Sequence, residues 1–131
     1  MDLNVRLSPG EFLDKLTILE IKLARIADPA KRRNVALERD LLRAAWAASS
    51  FASADVSAQV LALKAVNEAL WEIEDQIRVH EARGVFDAGF VQLARSVYLQ
   101  NDRRAAIKRE INLMLRSDLI EEKSYSKYDK A

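Results

Sequence analysis

Residues that break helices are almost missing from this chain, and their positions decide what it can fold into. Among 131 residues there are only 3 Gly and 2 Pro. Both prolines directly follow a capping side chain, in Ser8-Pro9 and Asp28-Pro29, where proline opens a helix instead of ending it. Glu11 completes a capping-box pattern with Ser8, and Leu7 and Phe12 stand at hydrophobic-staple positions. Gly84 suits a left-handed helix end, and Asp87 suits the next start. The longest run of small and polar residues is Ser49 to Asp55. These marks predict four helices: Pro9 to about Ala27, Asp28-Pro29 to about Ala48, Val56 to Arg83 and Ala88 to about Arg116. Short connections within each pair imply two helical hairpins. The expected fold is an all-α antiparallel four-helix bundle, one domain over 1–131, with an arm at 1–8 and a tail at 117–131. Leu119–Lys123 is expected to form a helical turn within that tail.

Composition removes several function classes. Half the residues are hydrophobic and the net charge is +1, which excludes a disordered chain. With no cysteine there is no disulfide, thiolate metal site or thiol chemistry, which fits a cytoplasmic location. The apolar runs are too short for a membrane span, and Met1–Gly10 has no signal-peptide pattern. Balanced charge gives no nucleic-acid or membrane-surface footprint. No sequence motif calls for a cofactor.

On the first helix, Phe12, Leu16, Leu19, Leu23 and Ile26 form one apolar seam, with Ile18 and Ile21 off it. A helix that is apolar on two faces is central or is covered by a second subunit, so a homodimer is expected. On the second helix Leu37, Leu41, Ala44 and Ala48 are expected to face inward.

Polar residues inside the apolar stripes are the functional candidates. In the third helix Asn67 and Glu74 interrupt Leu63, Val66, Leu70, Ile73 and Ile77. In the fourth, Asn101, Arg104, Lys108 and Asn112 interrupt the stripe. One reading is a structural layer, with Glu74 paired to Arg104 or Lys108 and Asn67 meeting Asn101. A second is an interior pocket in which Arg104 and Lys108, with Lys15 or Lys22, receive a small anionic ligand, unless Glu20 serves as the second acid for these cations. A third leaves the fourth helix rotated and these charges solvated. The acidic pairs Glu11/Asp14 and Glu72/Asp75 raise a metal site, but Glu68, Glu72 and Asp75 project away from the stripe, so no metal is expected. His80, the only histidine, has no catalytic set around it, and no catalytic residue can be named.

Four blocks carry a resemblance: Ser8–Lys22 (SPGEFLDKLTILEIK), Val66–Asp75 (VNEALWEIED), Ser96–Lys108 (SVYLQNDRRAAIK) and Glu121–Tyr125 (EEKSY). Together they resemble an uncharacterised bacterial domain family of unknown function, DUF6165. The resemblance supplies no catalytic residue. It implies a setting beside glycosyltransferases and other surface-glycan machinery, and hence a protein partner in glycan assembly. The blocks contain Lys15, Asn67, Glu74, Asn101, Arg104 and Lys108, the residues selected as candidate ligand contacts. The expected function is a non-enzymatic binding or accessory module. The alternative is an enzyme for a small anionic metabolite, with Arg104 and Lys108 binding and Glu74 as acid or base.

Overall fold

The computed structural model describes residues 2–128; Met1 of the expected arm and residues 129–131 of the expected tail lie outside them. Among the described residues the chain forms four helices and no strand: α1 (Pro9–Arg25), α2 (Pro29–Ala47), α3 (Ser57–Arg83) and α4 (Ala88–Met114). The chain is therefore the four-helix, all-α bundle that its punctuation predicts. The caps act where expected. Ser8 Oγ accepts from the Glu11 amide at 3.1 Å, and Asp28 accepts from the Lys31 amide at 3.1 Å. Asp87 accepts from the Phe90 amide at 3.1 Å, and Gly84 closes α3 with φ +66°. The capping box at Ser8 is only half made, because the Glu11 carboxylate is held by Lys108 instead. α4 stops two residues short of the expected end; the chain then turns through Arg116 at φ +54°, and Leu119–Lys123 is not helical.

The helices contribute unequally to the core, to which α2 adds Trp46 at its edge. α1 touches all three others and α3 pairs with α4, whereas α2 touches α1 alone. That arrangement explains the two apolar faces of α1. Phe12 reaches α2, with its ring 5.7 Å from that of Trp46. On the other side Leu13 joins Leu63 and Ile111 in the core. Of the residues on that second face, Ile21 is buried within this same chain and Ile18 is half-buried.

The rotation of α2 departs from expectation. Leu37 and Leu41 are 64% and 62% exposed, and Ala44 and Ala48 are exposed beside them. The face turned to α1 carries Leu42 and Trp46 with Glu38 and Arg39. Ion pairs settle this choice: Lys15 Nζ lies 2.9 Å from Glu38, and Glu20 meets Arg43 at 2.5 Å and Arg39 at 3.7 Å. Two weakly apolar faces compete on α2, and the one that also answers the charges of α1 wins.

α3 and α4 have 27 residues each against 17 in α1, so their hairpin extends about 15 Å beyond it at 1.5 Å per residue. At its tip Phe86 packs edge-on against Phe90, with ring centroids 5.1 Å apart. His80 Nδ1 bonds the Val85 carbonyl at 2.9 Å there, in a structural setting.

Candidate functional site

The buried charge of the protein is gathered where α1, α3 and α4 meet, and its centre is Asp14. This side chain is 1% exposed. Arg104 grips it with a two-pronged fork: Nε donates to Oδ1 at 2.9 Å and Nη2 donates to Oδ2. Asn67 Nδ2 donates to Asp14 Oδ1 at 2.9 Å and to Thr17 Oγ1 at 3.0 Å. The Thr17 hydroxyl in turn donates to the Asp14 carbonyl at 2.7 Å. A carboxylate so placed avoids the cost of burial because each oxygen accepts from a fixed donor.

Lys108, one turn beyond Arg104, is also buried. Its Nζ lies 2.6 Å from Glu11, 2.7 Å from Glu121 and 3.9 Å from Asp14. Burial pulls the Lys108 ammonium down, but the hydrogen bonds to Glu11 and Glu121 and the charges of Glu11 and Asp14 outweigh it. The result is a lysine held above its ordinary value, firmly charged. The hydrogen bond to Asp14 raises Arg104 likewise, against the opposing effect of burial. Neither cation is poised to exchange a proton near neutral pH.

α1 and α4 come this close because residue 10 is glycine. The Gly10 amide donates to Asn112 Oδ1 at 2.7 Å, and a Cβ at Gly10 would lie 2.4 Å from the Lys108 carbonyl oxygen. Asn112 is fully buried, and its carbonyl accepts from the Ser117 amide at 2.8 Å, starting the return of the tail along α4.

Of the residues selected from sequence, Asn67, Arg104 and Lys108 belong to this network. Asn101 lines a 240 Å³ cleft beside Arg104, Lys108 and Glu121. Three expectations are corrected. Glu74 does not pair with Arg104 or Lys108; it is exposed, with Arg78 at 3.6 Å one turn away. Asn67 meets Asp14 and Thr17, not Asn101. Lys15 and Glu20 turn to α2, so neither serves the buried cations. The acids that do serve them, Asp14, Glu11 and Glu121, were not assigned to Arg104 and Lys108 from the sequence. Asp14 had a signal: Gly10, Asp14, Thr17 and Ile21 recur every three or four residues and, with Leu13 beside them, form the buried face of α1. Glu121, on an irregular tail, had none.

Two of the other helical acids also meet cations. Glu72 bonds Arg25, and Glu68 lies 3.9 Å from Lys64. Among the described residues no three His, Asp or Glu side chains are placed to hold a metal ion.

Next to the network, on the side of α1 away from α2, a groove of about 340 Å³ opens between α1 and α3. Ile18, Ile21, Leu70 and Trp71 wall it. Asn67 and Arg104 lie at its inner end, and Glu74 and Asp75 at its rim.

No curated protein and no solved structure matches the chain. A family model does, over residues 3–129, and so takes in the Asp14 network, the groove and the tail. The chain belongs to DUF6165, a family of unknown function.

Proposed function

We propose that this chain is a non-enzymatic binding or accessory module that works as a homodimer, with the Asp14–Arg104–Lys108 network as its internal tie. The observation that carries this reading is surface. The chain exposes 9348 Å², whereas a folded monomer of 14.8 kDa exposes roughly 7,000 Å². The surplus of roughly 2,300 Å² exceeds the roughly 800 Å² each partner gives to a standard interface. Part of it belongs to the arm and tail, but α2 adds an uncovered stripe of Ala30, Leu37, Leu41, Ala44 and Ala48. Two copies of α2 packed antiparallel cover that stripe, and a register that sets Arg33 of each copy against Asp40 of the other makes the pairing reciprocal.

The enzymatic alternative loses its support at Arg104 and Lys108. Both already have protein acids, and Glu74 is not among them. A cytoplasmic setting and a glycan-assembly partner are proposals that rest on the composition and the family resemblance. Sedimentation or light scattering tests the assembly: a dimer is expected, reduced to monomer by Leu37→Asp with Leu41→Asp. A monodisperse monomer at high concentration overturns it.

A further inference from the structure

The groove between α1 and α3 has its own charge logic, independent of how copies assemble. Its walls, Ile18, Ile21, Leu70 and Trp71, are apolar, and its 340 Å³ falls at the lower end of the range for small-molecule sites. Its only cation at the inner end, Arg104, is already held by the Asp14 fork. An incoming anion therefore finds no uncompensated positive charge there.

The rim carries the opposite sign. Asp75 is exposed and has no salt-bridge partner among the described residues, and Glu74 has only the loose 3.6 Å contact to Arg78. Trp71 already draws a cation to its ring, since the Arg25 guanidinium stands 6.0 Å from the ring centroid. Arg25 itself is answered by Glu72, so it leaves the Asp75 charge in place.

We infer that this groove is a binding site for a small organic cation: an aromatic or aliphatic body carrying a primary ammonium. The body fills the space between Ile18, Leu70 and Trp71, and the ammonium faces Asp75 and Glu74. Desolvated apolar contact supplies the affinity, and the rim charge supplies the sign preference. This reverses the anionic ligand expected from the sequence.

Three probes of similar shape and different charge decide the matter: phenethylammonium, phenethyl alcohol and phenylacetate. Each is titrated into the full chain carrying Trp46→Phe, with Trp71 fluorescence and amide chemical shifts as readouts. Phenethylammonium is expected to bind in the millimolar range or tighter, with shifts confined to Ile18, Leu70, Trp71 and Asp75. Asp75→Asn is expected to weaken it about five-fold, the effect of losing one screened charge pair. Ile18→Trp, which fills the groove without touching the Asp14 network, is expected to abolish binding while circular dichroism stays unchanged. Equal or tighter binding of phenylacetate overturns the inference, as does equal binding of the alcohol. Absence of any shift with all three probes overturns it as well.

Discussion

Asp14 and Arg104 lie 90 residues apart in the chain and meet through two parallel hydrogen bonds, one of them 2.9 Å between Arg104 Nε and Asp14 Oδ1. This fork joins the first helix to the last. The two ends are unequal: the carboxylate is buried and shared by Arg104, Lys108 and Asn67, whereas the guanidinium is partly open to water.

Asp14→Ala is therefore expected to destabilise the fold by about 3–5 kcal/mol, since Arg104, Lys108 and Asn67 all lose a partner. Glu74→Ala is expected to change stability by less than about 0.5 kcal/mol, because its one ion pair is exposed. Urea denaturation of both variants checks the contrast. A large loss for Glu74→Ala together with a small one for Asp14→Ala contradicts the assignment.

Lys108 gives a pH dependence of definite sign. Its folded-state value lies above the ordinary 10.5, so the stability linked to it is fully present below 10.5. That contribution is lost as pH rises through the higher folded value. Denaturation midpoints across the alkaline range are expected to show this falling limb in the wild type and not in Lys108→Met. A limb that persists in Lys108→Met assigns it to another group.

Two glycines separate close packing from backbone conformation. Gly10→Ala drives a Cβ to 2.4 Å from a backbone oxygen that cannot swing away, and a loss of about 2–3 kcal/mol is expected. Gly84→Ala meets nothing within 4 Å and costs only the left-handed conformation, about 1 kcal/mol. Thermal melts of the two variants rank them, and the reverse order refutes the close approach of α1 and α4.

Reciprocity at α2 predicts a charge-swap signature. Arg33→Glu alone is expected to weaken the dimer, and adding Asp40→Arg to restore it, because each copy then offers the reversed pair. Sedimentation equilibrium of the single and double variants reads this directly. A double variant no better than the single places the interface elsewhere.

Helix boundaries were legible within two residues because capping and breaking are local chemistry: Ser8, Pro9, Asp28, Pro29, Gly84 and Asp87 each act on backbone within one turn. That Arg104 and Lys108 point inward was legible too, from the 3.6-residue period. Which acids answer them was not. Glu74 lies within the apolar stripe of α3, but α1 ends near that level and leaves its position open to water. Asp14 reads in the sequence as half of an acidic pair with Glu11, and only the packing of α3 and α4 against α1 makes it the partner of Arg104. The orientation of α2 was hidden for a related reason: Leu37/Leu41 and Leu42/Trp46 are both apolar faces, and it is partners on another helix, Phe12 against Trp46 together with the charges of Lys15 and Glu20, that select between them.

The span between Asp14 and Arg104 also sets a timetable for synthesis. At about 5–20 residues per second, roughly 5–18 s pass between the emergence of Asp14 and that of Arg104. α2 is the first helix available to α1 and covers only one side of it; α3 follows, bringing Leu63 and Asn67 to the other side before Arg104 has been made. Leu13 and Asp14 wait for these α3 partners, and Lys108 gains its last acid, Glu121, only after α4 has been made. The Asp14 network is therefore closed only once all four helices have been synthesised.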